Sequence, residues 1–316
     1  MNILVTGGAG FIGSHLSDAL LLEGHNVIAY DNLLRGKVSN LVKALTNPNF
    51  KFIKGDLLDK DTLFKIFKTN SIDTVFHMAA NSDIASSHTN PDVDFENTLK
   101  TTYNILLAMK EFNVKNIVFA STSAIYGDTG VKVSEDFGPL FPISHYGASK
   151  LASEGYISSF CENYGLKAWI TRFPNVVGER ATHGAIYDFI NKLKSNPKEL
   201  EVLGDGSQIK PYLYVKDLVE AILLIWKQTD EQVNYFNIGV ESRTTVKEMA
   251  EMVIQEMELD ATIRYTGGNK GWIGDVPEFS YNINKIHNLG WEAKLTSNEA
   301  IRKSIQYILE QDLCKQ

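Results

Sequence analysis

The chain has 316 residues, 44% hydrophobic and 22% charged, with a net charge of −7. That length can bury a sizeable core, and an acidic balance without a long basic run excludes nucleic acid and membrane surfaces as expected partners. No apolar run is long enough to cross a bilayer, and Cys161 and Cys314, the only cysteines, have no metal or redox spacing, which fits a reducing cytoplasm.

The first residues enter a strand directly, so no signal peptide is expected. Asn2 to Thr6 is a short apolar run that predicts a buried strand. Gly7-Gly8-Ala9-Gly10-Phe11-Ile12-Gly13 follows, then helical apolar spacing from Ser14 to Glu23, ended by Gly24. Asn26 to Tyr30 is the next apolar run, closed by Asp31. Each part has a physical job. Gly7 allows a tight turn, Gly10 lets backbone approach a pyrophosphate, and Gly13 lets the helix pack on the strand. The helix N-terminus offers free N–H groups and the positive end of its dipole. The Asp31 carboxylate can accept hydrogen bonds from an adenosine ribose. The glycine spacing is G-x-x-G-x-x-G, and its strand–turn–helix–strand–acid context points to a dinucleotide.

Strands are expected at Phe50–Lys54, Thr74–His77, Asn116–Ala120 and Ala168–Arg172. Between them, helical spacing covers Asp59–Lys68, Phe95–Phe112 and Tyr146–Tyr164, the last ended by Gly165; the stretch around Leu41 is ambiguous. This alternation predicts a doubly wound α/β fold, a parallel Rossmann-type sheet with helices on both faces. After Pro174 the pattern changes. Strands are expected at Leu200–Leu203, Pro211–Val215, Tyr235–Ile238 and Thr262–Tyr265, and helices near Ala185–Lys194, Val215–Lys227, Val246–Met257 and Ser297–Leu309. We therefore expect a dinucleotide-binding domain over 1–173. A smaller substrate lobe over 174–316 would return some segments to the sheet, and a second ligand would bind between the two. There is no repeat, low-complexity segment or H-E-x-x-H pair, and no metal is expected. His77 is expected to be a satisfied core residue.

Tyr146 and Lys150 stand four apart at the start of a long helix and share one face. Pro142 and the small Gly147-Ala148-Ser149 let a cofactor lie close to the backbone. Strand Asn116–Ala120 delivers Ser121-Thr122-Ser123 to the carboxyl edge, where ligands bind in such sheets. An ammonium beside a phenol lowers the phenol's pKa, so Tyr146 can take or return a hydroxyl proton. Thr122 can hold the substrate oxygen in line. With a nicotinamide nearby, these groups make an alcohol–ketone hydride site.

Those motifs resemble the extended short-chain dehydrogenase/reductase family, in particular its NAD-dependent nucleotide-sugar epimerases and dehydratases. The likeness extends over nearly the whole chain. It takes in Gly55-Asp56-Leu57, His77-Met78-Ala79-Ala80, Ser121-Thr122-Ser123-Ala124-Ile125-Tyr126-Gly127, Arg172-Phe173-Pro174-Asn175 and Gly204-Asp205-Gly206-Ser207-Gln208. The resemblance implies NAD as cofactor, with Tyr146 as acid/base, Lys150 as its pKa-lowering partner on the nicotinamide ribose, and Thr122 as helper. It implies that Asp56 and Leu57 flank the adenine and that Ala79 and Ala80 line the phosphate and ribose path. Gly7, Gly10, Phe11, Ile12, Gly13, Asp31, Asn32, Arg35, Ser82 and Asn97 complete the implied cofactor set. Asn175, Lys210, Arg243 and Asp275 are the implied substrate contacts, and the two long helices imply a homodimer.

The chain also departs from the family pattern. Dehydratases of this group usually carry Asp-Glu after the threonine, where this chain has Ser123-Ala124. The usual diphosphate-binding arginines are replaced by Lys210 and, near the second position, Trp272. Lysine is the less directional phosphate clamp; Arg243 and Lys270 are candidates to compensate. The resemblance therefore implies NAD-dependent oxidation at C4 of a nucleotide-diphosphate sugar, foremost a UDP-hexose-type 4-epimerase. The alternatives are a 4-dehydrogenase releasing the 4-keto sugar, for example from a GDP-heptose, and a non-catalytic NAD sensor.

Overall fold

The structure, a computed structural model, describes residues 1–82, 86–272 and 274–313. Cys314 and Ile273 lie outside the described residues. Seven parallel strands form the central sheet: β1 (Asn2–Thr6), β2 (Asn26–Asp31), β3 (Phe50–Lys54), β4 (Thr74–His77), β5 (Asn116–Thr122), β6 (Lys167–Phe173) and, from far along the chain, β11 (Val233–Asn237). Their order is β11-β6-β5-β4-β1-β2-β3. It reverses between β1 and β4, which opens a crevice at the carboxyl ends of those strands, where ligands bind in such sheets.

Apolar faces explain the layers. Helices α1 (Phe11–Leu22) and α6 (Val215–Gln228) bury Leu16, Leu20, Leu218 and Ile222 on one face of the sheet. On the other face, α2 (Lys60–Thr69), α3 (Thr101–Glu111) and α4 (His145–Tyr164) bury Leu63, Phe67, Ile105, Met109, Ile157 and Phe160. At α4, the Ser144 hydroxyl caps the start by accepting from the Gly147 N–H, and Gly165 ends the helix at φ +64°.

A second, smaller core lies beside the sheet. It joins α5 (Ala185–Ser195), α7 (Val246–Glu256) and α8 (Ser297–Leu313) through Phe189, Ile190, Met249, Val253, Ile301 and Ile305. Three two-stranded ribbons frame it: β7 (Asn175–Val177) with β10 (Tyr212–Tyr214), β8 (Glu199–Val202) with β13 (Thr262–Tyr265), and β9 (Ile209–Lys210) with β12 (Thr244–Thr245). The expected strand at Tyr235–Ile238 is β11, at the edge of the main sheet beside β6. Among the described residues, no helix is long and apolar enough to cross a membrane.

One expected helix differs in form. Phe95–Phe112 is not uniformly α: a short turn at Asp92–Asp94 and a π-helical stretch at Phe95–Lys100 precede α3. The threonines account for the distortion. Thr101 and Thr102 turn their hydroxyls back onto the Asn97 and Thr98 carbonyls, while Thr98 Oγ1 accepts the Asn81 N–H at 3.1 Å. Such bulges gather at functional sites, and Asn97 lines the cleft described next.

Candidate active site

A cleft of about 1190 Å³ runs from the carboxyl ends of the sheet strands into the smaller lobe. Its first part is the glycine cradle. Gly7 sits at φ +64°, and a side chain there would strike the Ala79 backbone nitrogen at 2.9 Å. A Cβ at Gly13 would lie 2.2 Å from the Gly7 carbonyl oxygen. No side chain caps α1 and no acid lies in its first turn, so its amino end faces the cleft unopposed. This cradle, which any side chain would fill, fits a pyrophosphate.

Asp31 is buried at the end of β2, where its carboxylate accepts the Ala9 and Leu33 N–H groups at 3.0 and 2.7 Å. Burial raises its pKa against those bonds. Asn32 donates to Asp56 Oδ2 at 3.0 Å, and Asp56 Oδ1 accepts the Leu58 N–H; the α2 cap is Asp59 instead. Gly10, Phe11, Ile12, Arg35, Leu57, Ala79, Ala80 and Ser82 all line the cleft. Asn97 lines it too, with its amide donating to the Val93 carbonyl. His77 is buried below, between the hydroxyls of Thr6 and Thr102 at 2.7 and 3.0 Å. Burial drops its pKa to about 3, so it stays neutral.

The expected acid/base groups meet where β5 ends against α4. Tyr146 and Thr122 both line the cleft there, with the Thr122 hydroxyl near enough to the phenol to favour its ionised form. One turn on, Lys150 Nζ donates to the Ala120 carbonyl at 2.5 Å and lies 4.6 Å from the Phe119 ring centre. Burial pushes the Tyr146 pKa up to about 12, with Thr122 pulling the other way, and burial draws Lys150 down to about 7. The geometry fits this: the Lys150 side chain reaches back to the strand, 6.0 Å from the phenol ring centre, and is itself buried.

Two carboxylates that the sequence reading passed over face this pair. Asp94 is fully buried; Oδ1 accepts from Asn81 Nδ2 at 2.8 Å, and Oδ2 has no hydrogen-bond partner among the described residues. No spacing signal marks it. Glu154, one turn beyond Lys150, is also buried. It accepts from the Ser121 hydroxyl and holds Arg172 with two bonds, Nε at 3.1 Å and Nη2 at 2.6 Å. Arg172 Nη1 donates onward to the Tyr126 hydroxyl and the Glu135 carbonyl, both at 2.9 Å. Glu154 continues the four-residue step from Tyr146 and Lys150, which was the available signal.

On the smaller-lobe side, Asn175 lies at the start of β7, paired with Tyr212 of β10, and lines the cleft. Lys210 lines it as well. Its ammonium is paired with Asp275, whose Oδ2 accepts the Gly271 N–H at 3.0 Å, and lies 5.2 Å from the Trp272 ring centre. Arg243 pairs with Glu278 at 2.7 Å and is not among the residues that line the cleft. Lys270 likewise pairs with Asp128 outside the wall. Arg35, Lys150 and Lys210 are the only lysines and arginines lining the cleft among the described residues.

A Rossmann sheet, a glycine cradle with its acid, and a Thr–Tyr–Lys set at one strand end define an extended short-chain dehydrogenase/reductase. The chain belongs to the NAD dependent epimerase/dehydratase family, whose sequence profile matches residues 3–239. Its cofactor is NAD, which the cradle and Asp31 fit. A solved UDP-galactose 4-epimerase is 37% identical, superposes with a TM-score of 0.88, and is covered over 98% of this chain and 99% of that one. The Thermus thermophilus UDP-glucose 4-epimerase in complex with NAD is 32% identical, with a TM-score of 0.87 over 98% of this chain and 99% of that one. A human dTDP-D-glucose 4,6-dehydratase is 32% identical over 98% of this chain and 90% of its own length. The enzyme is thus a member of a nucleotide-sugar epimerase and dehydratase family.

Proposed function

We propose that this enzyme is a nucleotide-sugar 4-epimerase acting on a UDP-hexose type of substrate through a 4-keto intermediate. The observation that carries this reading is that Thr122, Tyr146 and Lys150 come together in the cleft wall at the end of β5, with no carboxylate following Thr122. Eliminating water across C5 and C6 needs an acid and a base beside the tyrosine; Ser123 and Ala124 supply neither. Thr122 orients the C4 hydroxyl, Tyr146 takes its proton and later returns it, and Lys150 binds the cofactor's ribose. Bound NAD supplies reversible hydride acceptance beside C4, and its positive ring favours the phenolate. The keto sugar then turns in the cleft and presents its other face.

Asn175 and Lys210 are the proposed phosphate contacts, with Asp275 holding Lys210 in place. Arg243 lies away from the cleft, so the proposed clamp has one lysine. UDP-sugar relatives support the UDP-hexose reading. We place the enzyme in the cytoplasm and as a homodimer. Support for the dimer is an exposed aromatic strip, Phe95 with Tyr103 on α3 and Tyr156 and Tyr164 on α4.

The test is incubation with a panel of UDP-, GDP- and dTDP-sugars, followed by NMR of the products. A 4-epimer without net NADH is the expected result. A released 4-keto sugar with stoichiometric NADH would make the enzyme a 4-dehydrogenase, and no turnover with NAD bound would make it a sensor.

A further inference from the structure

Strand β5 and helix α4 meet at three polar rungs: Thr122 lies by Tyr146, Lys150 donates to the Ala120 carbonyl, and Ser121 donates to Glu154. The helix contributes every fourth residue, so one face supplies all three. The strand contributes successive residues, through a backbone carbonyl at Ala120 and side chains at Ser121 and Thr122. The first two rungs carry the reacting pair. The third carries a carboxylate that is only 6% exposed and is itself locked by Arg172. A buried ammonium needs a countercharge nearby, or it loses its proton.

We propose that Glu154 is a positioning residue for the Tyr146–Lys150 pair: it fixes the register of α4 on β5 and is the countercharge that keeps Lys150 an ammonium. The groups facing Lys150 support this. Tyr146 and Glu154 flank it on α4, Asp94 approaches from the turn before the π-helical stretch, and His77 faces it from β4 and is neutral. Glu154 is the leading influence holding the Lys150 pKa up against burial, ahead of Asp94. Arg172 and Ser121 act as the anchors that aim Glu154, because both saturate the carboxylate on the side of the sheet. The role rests on Tyr146 and Lys150 being the acid/base pair. Its test needs no sugar nucleotide, so its outcome is separate from that of the proposed epimerisation.

The test reads Lys150 directly. Protein labelled with 13C at lysine Cε is titrated by NMR, with NAD absent and then saturating, and the Lys150 signal is the one missing in Lys150→Met. In Glu154→Gln, the midpoint of that signal is expected about one pH unit or more below wild type, the effect of losing a close opposite charge. Glu154→Asp, which retains the charge, should lie between the two. Should Glu154→Gln not fold, Glu154→Gln/Arg172→Gln removes both charges without leaving a buried cation unpaired, and a smaller downward shift is expected because loss of the Arg172 charge offsets part of it. A Lys150 midpoint equal to wild type in either folded variant overturns the proposal.

Discussion

Tyr146 is the residue on which the proposed chemistry turns. Tyr146→Phe keeps the ring and removes the oxygen near Thr122. Turnover should fall about 10²–10⁴-fold, the usual range for positioned acid/base catalysis, while NAD affinity is retained. Rate and calorimetry on the same preparation check both halves, and near-normal turnover would overturn the assignment. His77 yields a pH prediction. Its folded pKa of about 3 lies below its unfolded value of about 6.5, so the unfolded chain binds the extra proton between them. Stability is therefore full above pH ~6.5 and is lost as pH falls toward the folded value, by up to about 1.4 kcal/mol per pH unit from this group. Urea denaturation of wild type and His77→Gln from pH 7 to pH 4 should show the shallower slope in the variant. Legibility at this scale was uneven. Tyr146 and Lys150 stood out because four-residue spacing marks a shared face. The same spacing pointed to Glu154, but a glutamate four residues beyond a lysine also fits an exposed helical ion pair. Only Ser121 and Arg172, brought in by β5 and β6, reveal that it is buried. Arg243 looked available in sequence, where its attachment to Glu278 is invisible.

Among elements, the β1–α1–β2 unit was the most legible, since each glycine there answers a steric demand. Gly13 shows this most directly. Gly13→Ala would press a methyl carbon to 2.2 Å from the Gly7 oxygen, a backbone atom that cannot swing aside. We expect a loss of about 1–3 kcal/mol in stability, as for an overpacked core, and a marked loss of NAD affinity as α1 is pushed off the turn. Denaturation and calorimetry check the two effects; unchanged NAD binding would contradict the cradle. The stretch before α3 was less legible. Apolar periodicity continues through Phe95–Phe112, whereas the π-helical stretch also receives Asn81, whose N–H reaches Thr98 from another part of the chain. Local spacing carries no record of such a contact. The short ribbons β9 and β12 are set by tertiary pairing for the same reason.

In the whole molecule, α3 and α4 lie side by side and leave aromatic surface uncovered. Tyr103 packs at 5.4 Å from Tyr156 and 6.1 Å from Phe160, yet Tyr103 and Tyr156 remain 36% and 46% exposed. A second copy would bury this strip in a two-fold contact, where each patch meets its own equivalent. Sedimentation at micromolar concentration should give a dimer, and Tyr156→Asp should shift it toward monomer because a buried unpaired charge opposes association. A purely monomeric wild type would reject the contact.

Strand β11 has a consequence for how the protein is made. Synthesis runs from the amino end, and the first six sheet strands are complete once Phe173 has emerged. Yet β6 has its outer neighbour only after Asn237, and α6, which covers the sheet beside α1, arrives only just before. Until then β6 presents an open hydrogen-bonding edge, and the apolar side of α1 that meets α6 is bare. The nascent chain must therefore hold a nearly finished cofactor half while some sixty further residues are translated, an interval of about 3–12 s at ordinary elongation rates. A chain arrested at Phe173 would be a sticky fragment rather than a small NAD-binding protein.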